Sequence, residues 1–271
     1  MVILSFDIEE FDLPTEYGIS ISPERQIEIS EKGLNNLLDL LESEKVPATF
    51  YSTVRFMEAV SPETRHRLVA GKDFEIASHG MHHGVMGKGD LPASKTALER
   101  FTGKDVTGFR MPRMMPVDMD ELKAAGYLYD SSLNPAFIPG RYNNLSLPSV
   151  PFADRGGIIR LPGPVTPTLR IPLFWLGLHH YPLPLYKALC RLTLRKTDYL
   201  QLYFHPWEFA DWTKEKDLSR VPFLIKRRIG FPMIKRLKSV IRSLKKAGVA
   251  FGTAAGECTK STSLFHPTKH A

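Results

Sequence analysis

Short apolar runs alternating with segments of helical period constrain this chain more than any other feature. Residues 2–10, 46–51, 74–77, 106–111 and 127–130 read as strands, the first ending in Asp7-Ile8-Glu9-Glu10. Between them, residues 28–45 place Ile29, Leu34, Leu37, Leu38 and Leu41 at helical spacing. Ser61-Pro62-Glu63 is a helix start, with serine as cap and proline in the first turn, and that helix closes at Gly71. Residues 91–102 and 118–125 are two more helices, the second ended by Gly126. Such alternation predicts a parallel sheet or barrel with helices outside, whose functional groups gather at the C-terminal strand ends. Asp7, His79, Arg110 and Asp130 all fall at such ends.

The second half is less regular. Residues 135–184 hold ten of the 21 prolines and read as irregular structure with short strands, such as 157–161, laid against the main fold. Residues 199–204 form a further strand running into His205-Pro206-Trp207-Glu208. Residues 224–247 have helical period, and 249–253 are a last strand. With no repeat, low-complexity tract or linker, the expected organisation is one domain over residues 1–271 with a Pro-rich insertion around 135–184.

Charge and cysteine usage narrow the class. The net charge is +7, and nine Lys or Arg with no acid lie between Lys226 and Lys246, so the excess sits in one segment. Those charges alternate with Ile229, Phe231, Met233, Ile234, Leu237, Val240, Ile241 and Leu244. A basic amphipathic helix suits peripheral contact with an anionic membrane, or packs its apolar side on the barrel. No aromatic stacking pattern accompanies the charges, so nucleic acid is not expected as a partner. Cys190 and Cys258 form no disulfide framework or thiolate site, which points to a reducing compartment. The longest apolar stretch, 171–178, is too short to span a membrane and contains Pro172. Met1 leads directly into a strand with no basic leader, so the expected location is cytoplasmic, with peripheral contact at the inner membrane face.

Chemistry concentrates in four residues. His79 and His83 stand four apart, a spacing that on a helical turn puts both imidazoles on one face, close enough to share a metal. Asp7 and Glu9, two apart on a strand, leave the same face. Two imidazoles and one carboxylate are a common ligand set for Zn²⁺ or another first-row ion, and the second carboxylate is then free to act as general base. His205, at a later strand end, is placed to protonate a leaving group. His82 points away from the face shared by His79 and His83. His179 and His180, in an apolar segment, read as structural or surface groups. Trp207 and Glu208 either line a substrate groove, where an aromatic face suits a sugar ring, or belong to the core.

These residues resemble the polysaccharide deacetylases with the NodB-homology fold, family four of the carbohydrate esterases. That family has a distorted (β/α) barrel and five motifs in fixed order. The motifs are matched by Ser5-Phe6-Asp7-Ile8-Glu9, His79-Gly80-Met81-His82-His83, Arg110-Met111-Pro112-Arg113, Tyr129-Asp130-Ser131-Ser132 and Phe204-His205-Pro206-Trp207. The resemblance implies Asp7 as catalytic base, His79 and His83 as metal ligands, Arg110 as the partner that keeps Asp7 ionised, and His205 as general acid. It implies Asp130 as an orienting partner, and the backbone N–H of Arg113, after Pro112, as an oxyanion donor. The family's usual Asp-Asp is replaced here by Asp-Ile-Glu, similar to a subgroup in which the acid two residues on is a ligand, so Glu9 takes that role. Gly80 stands where Ser or Thr is usual.

The expected function is therefore a metal-dependent hydrolase, with one divalent ion, zinc first, that removes N-acetyl groups from an amino-sugar-containing glycan or glycolipid precursor. A sugar still attached to a lipid carrier suits a protein without an export signal. One alternative is a cyclic amide or imide hydrolase of the same fold, allantoinase-like, since the subgroup includes such enzymes. The other is an inactive sugar- or lipid-binding homologue.

Overall fold

The structure, a computed structural model, describes residues 1–140 and 142–265; Arg141 and residues 266–271 of the expected 1–271 domain lie outside the described residues. The chain begins with β1 (Val2–Ile8), buried throughout, and α1 (Pro23–Glu44), whose Ser22 cap accepts from the N–H of Arg25. β2 (Ala48–Ser52) leads into α2 (Val54–Ala59), a short helix capped by Thr53 that the periodicity does not reveal, and then α3 (Pro62–Ala70), capped by Ser61 as read from the sequence. β3 (Phe74–Ser78), α4 (Asp90–Thr102), β4 (Gly108–Phe109), α5 (Met119–Ala124) and β5 (Tyr129–Asp130) continue the alternation.

The Pro-rich stretch supplies a hairpin, β6 (Phe137–Ile138) and β7 (Tyr142–Asn143), then β8 (Phe152–Ala153) and β9 (Ile159–Arg160). It also holds a helix not foreseen there, α6 (Trp175–His180), followed by α7 (Leu183–Thr197). β10 (Leu200–Phe204), α8 (Phe223–Lys226), α9 (Phe231–Lys246), β11 (Phe251–Gly252) and α10 (Ala254–Phe265) complete the described chain.

The main sheet runs β10-β1-β2-β3-β4-β5-β9-β8, with β11 also paired to β1. Every pairing in it is parallel except β8 with β9. This is the distorted α/β barrel that the family resemblance implied, built from the parallel strands the alternation predicted. The register brings the strand ends together: Phe204 pairs with Phe6, Ser52 with Ile8 and Ser78, and Phe109 with both Ser78 and Asp130. Residues just past those positions therefore converge at one edge.

The continuous helix expected over 224–247 is broken. α8 and α9 are separated by residues 227–230, where Arg228 and Gly230 take positive φ, 64° and 70°. The Gly230 N–H donates to the Glu208 carbonyl at 2.8 Å, tying the break to the turn after β10. Met233, Leu237, Val240, Ile241 and Leu244 are buried, so α9 spends its apolar side on the core, while Phe231 stays exposed. Its Arg236 donates to the carbonyls of Leu178 and Tyr181 and so braces α6.

Candidate active site

β1 delivers Asp7 and, one residue beyond its end, Glu9. Burial alone would raise the Asp7 carboxyl, but the fully buried Arg110 guanidinium donates to Asp7 Oδ1 at 2.5 Å, and its charge, with those of His79 and His205, holds Asp7 below the usual carboxylate range. Arg110 is fixed by Ser5 Oγ (3.0 Å), Ser131 Oγ (2.9 Å) and the Ser131 carbonyl (3.2 Å), and its guanidinium lies 3.9 Å from the centroid of the Tyr51 ring. The pairing of Asp7 with Arg110 is the one anticipated; Ser5, Ser131 and Tyr51 carry no signal in the sequence that would single them out.

His79 and His83 do meet, but not on a helical turn. His79 follows β3 directly, Gly80 turns the chain at φ 81°, and residues 81–84 form bends. The rings come together through that reversal, stacked at 5.8 Å between centroids. Each is oriented from behind. His79 Nδ1 faces the Arg110 carbonyl at 2.8 Å, and His83 Nδ1 faces Asp12 Oδ1 at 2.8 Å. A carbonyl only accepts, so His79 carries its proton on Nδ1 when neutral and turns the Nε2 lone pair forward. Both Nε2 atoms then converge on one atom, Glu9 Oε2, at 3.0 and 3.1 Å. One ligand atom from each of the three residues lies within 4.8 Å of the others.

Lone pairs and a carboxylate oxygen at such distances need a cation or protons among them. Protons do enter: burial would lower the His83 imidazole, yet Glu9, Asp12 and Glu10 push it up to about 9. The donor set therefore fits a divalent ion, which would replace those protons. Asp12, not anticipated from the sequence, also takes the Arg113 guanidinium at 3.0 Å.

His205 follows β10. Its Nδ1 meets Glu208 Oε1 at 2.9 Å, its Nε2 lies 3.9 Å from Asp7 Oδ2, and its ring stacks on Trp207 at 5.2 Å. Burial lowers its pKa, but the Glu208 bond and the charges of Glu9, Glu208 and Asp7 outweigh that and raise it. Asp130 is not the group that orients His205. It bonds Arg160 Nε at 2.7 Å and the hydroxyl of Ser132, whose Oγ takes the Met111 N–H at 2.8 Å. Asp130 therefore braces the loop carrying Arg110, and the orienting carboxylate for His205 is Glu208. Pro112 is buried at the start of the Pro112–Met114 turn, where Arg113 takes φ 58°.

Asp7, Glu9, His79, His83 and His205 line the floor of a cavity of about 540 Å³. Arg113, Trp207 and Tyr203 line it beside the catalytic candidates. Its outer wall is apolar, with Leu13, Ile138, Phe174, Trp175, Leu224 and Ile225. Most of that wall comes from the Pro-rich stretch with α6, where the sequence offered composition but no pattern, and from the α8 region, read as the start of a helix over 224–247.

Residues 22–127 match the family described as polysaccharide deacetylase. No curated protein sequence matches the chain. Among solved structures, a candidate polysaccharide deacetylase from Mycobacterium smegmatis superposes with a TM-score of 0.67 at 18% identity, over 97% of this chain and 90% of that one. Puue allantoinase gives 0.61 at 14% identity, over 98% and 91%. A second candidate polysaccharide deacetylase, from Pseudomonas aeruginosa PAO1, gives 0.61 at 13% identity, over 99% and 92%. Residues 22–127, the stretch that carries His79, His83 and Arg110, are thus similar in sequence to polysaccharide deacetylases, and nearly the whole chain shares the fold of these solved structures.

Proposed function

We propose that this protein is a metal-dependent amide hydrolase that removes the acetyl group from an N-acetylated amino sugar. One observation carries the reading: a base held ionised, Asp7, and a histidine with a raised pKa, His205, flank a Glu9–His79–His83 cluster on the floor of one cavity. A divalent ion held by Glu9, His79 and His83, zinc first, would supply Lewis acidity and lower the pKa of a water towards roughly 7. Asp7 takes a proton from the attacking water. The Arg113 backbone N–H, in the turn after Pro112, would stabilise the developing oxyanion. His205 Nε2 gives a proton to the amide nitrogen as the C–N bond breaks, so the products are acetate and a free amine. Trp207, Trp175 and Tyr203 give the sugar aromatic faces to lie against. Arg110 and Asp130 act from behind, the first on Asp7 and the second on the loop.

The test is turnover of N-acetylglucosamine oligomers against allantoin and succinimide, with metal content measured on the purified protein. Acetate release from the oligomers supports the reading. Turnover of the cyclic amides alone would transfer it to the allantoinase-like alternative. Binding without turnover of any of them would leave a sugar-binding protein.

The apolar outer wall favours a sugar carried on a lipid. Leu224, which lines the cavity, is more than 60% exposed, as are Phe223 next to it and Phe231 at the start of α9, and Lys226, Arg227 and Lys235 lie close to them in the chain. That combination suits the surface of an anionic membrane, where each basic residue near the headgroups is worth on the order of 1 kcal/mol. Among the described residues no helix is long and apolar enough to cross a membrane, so the contact would be peripheral. Both cysteines are free and buried, in keeping with a site on the cytoplasmic side.

A further inference from the structure

Glu208 joins two histidines, and only one of them faces the cavity. Its Oε1 takes the backbone N–H of His205 at 2.6 Å and lies 2.9 Å from His205 Nδ1. Its Oε2 lies 2.9 Å from Nε2 of His179, a residue of α6. The other nitrogen of His179, Nδ1, lies 2.6 Å from the carbonyl oxygen of Arg227. Glu208 and His179 are both fully buried.

The positions of the protons follow from the acceptors. A carbonyl oxygen cannot donate, so Nδ1 of His179 carries a hydrogen. A bare Nε2 lone pair cannot face a bare carboxylate oxygen at 2.9 Å, so one further proton sits between them. The His179–Glu208 pair thus holds one proton more than a neutral imidazole and a carboxylate, and as a unit it is uncharged. With that proton shared along the Nε2–Oε2 contact, Oε1 is left as an acceptor for both N–H groups of His205. Neutral His205 then keeps its hydrogen on Nδ1 and turns Nε2 towards Asp7.

We propose that His179 is a positioning residue for His205: by sharing a proton with Glu208 it fixes the His205 ring and its tautomer, so that Nε2 faces the reacting bond. This rests on the reading of His205 as the proton donor. Packing alone does not account for the arrangement. A buried carboxylate between two imidazoles is costly to desolvate, and an apolar ring would fill the volume of His179 more cheaply. The groups that face the row from the surrounding elements are Asp7 and Glu9 beside β1, Tyr186 of α7, Tyr203 of β10, His180, and Arg227 and Arg228 between α8 and α9. The contact with the Arg227 carbonyl also ties the proton donor to the segment that forms the cavity rim.

The test reads the ring directly and needs no substrate. In protein labelled with ¹⁵N at histidine, neutral His205 should be a single Nδ1–H tautomer, and His179 should keep a slowly exchanging Nδ1–H. In His179→Phe, His205 should become a mixture of tautomers. His179→Gln, which returns one N–H donor to Glu208, should restore the single form. On a turned-over substrate, His179→Phe should lower kcat about tenfold or more with KM within about twofold, as expected when proton delivery rather than binding suffers. An unchanged His205 tautomer in folded His179→Phe would overturn the proposal. So would wild-type His179 with a freely exchanging Nδ1 proton, a measurement that stands even if the phenylalanine variant does not fold. Absence of deacetylase turnover would count against the proposed reaction and leave the ring measurements to decide this point.

Discussion

Asp7 and His205 face each other across the cavity floor, Oδ2 to Nε2, at 3.9 Å. They are too far apart for a direct hydrogen bond and suitably spaced for two groups that serve one reacting centre from opposite sides. Their partners pull in opposite senses: Arg110 holds Asp7 ionised, and Glu208 helps keep His205 protonated. That division is the one the proposed roles of Asp7 as base and His205 as acid require.

Asp7→Asn should lower kcat by about 10²–10⁴, the usual worth of a general base. It should leave metal binding intact, because Glu9 and not Asp7 lies between the two imidazoles. It should also lower the melting temperature, since the fully buried Arg110 loses its anion and an unpaired buried charge costs about 3–5 kcal/mol. Glu9→Gln should do the reverse and lose metal. Paired metal analysis and kinetics on both variants check the assignment, and an exchange of the two outcomes would swap the roles of the acids.

The pH–rate profile should be bell-shaped with a broad top. Asp7 works as a carboxylate, so activity falls as pH drops through a pKa held below 3.8. His205 works protonated, so activity falls as pH rises through a pKa held above 6.5. Stability follows the same signs. The contribution of Asp7 is present above 3.8 and lost as pH falls through its depressed pKa; that of His205 is full below 6.5 and lost as pH rises through its raised one. Measuring kcat from about pH 2 to 10 checks both limbs, and in Glu208→Gln the alkaline limb should move to lower pH.

Metal affinity should fall with acid well before the protein unfolds. In the metal-free site the His83 imidazole is pushed up to about 9, so a proton must leave for an ion to enter at neutral pH. The apparent affinity should weaken about tenfold for each pH unit below 9 for as long as one proton is displaced. Titration of zinc by calorimetry in two buffers of different ionisation enthalpy should show that released proton, and His83→Ala should abolish the release.

How much of this the sequence reveals depends on what kind of signal each group leaves. The strand–helix alternation and its chemical strand ends are periodic and local, so Asp7, Glu9, His79, Arg110 and His205 were all singled out. The manner in which His79 and His83 meet was not legible, because a four-residue spacing fits a helical turn and a glycine-driven reversal equally well. Asp12, Ser131 and His179 act through contacts spanning 71, 21 and 29 residues, which no local pattern encodes. Glu208, read as a groove or core residue, has one partner three positions away in His205 and the other 29 away in His179, and only the second is beyond any local pattern. The part of the cavity wall supplied by the Pro-rich stretch comes from residues whose fold is set by proline and by tertiary packing rather than by period.

Gly33→Ala should disturb the site from outside it. Gly33 lies mid-helix in α1, where the helix presses on the turn Pro206–Phe209, and a Cβ there would stand 1.9 Å from the Pro206 carbonyl oxygen. Backbone must move, at a cost of about 1–3 kcal/mol for overpacking. Because Pro206 follows His205, kcat should fall with stability, whereas Gly89→Ala, which meets nothing within 4 Å, should cost stability through its positive φ and leave kcat unchanged. Thermal melts and kinetics on the pair separate the two effects.

The cavity rim makes the prediction that reaches furthest from the site. α9 uses its apolar side inside the fold, so membrane binding, if driven by this region, must come from the exposed Phe223, Leu224 and Phe231 with the basic groups around them. Several of those bases are already engaged. Lys226 donates to the Ser219 carbonyl, Arg236 to two carbonyls of the α6 region, and Arg242 to Glu44. The charge alone should therefore bind weakly, and the aromatic tip should decide. Wild-type protein should sediment with vesicles containing anionic lipid at low salt and release as salt rises, because the Debye length shrinks from about 30 Å at 0.01 M to about 10 Å at 0.1 M. Phe223→Ser with Phe231→Ser, neither of which lines the cavity, should abolish sedimentation, and Lys235→Gln should weaken it. A soluble N-acetylated oligosaccharide should be turned over equally by wild type and the double serine variant if only delivery is lost. Protein that stays in the supernatant with anionic vesicles at low salt would remove the membrane from the proposal while leaving the chemistry of Asp7 and His205 untouched.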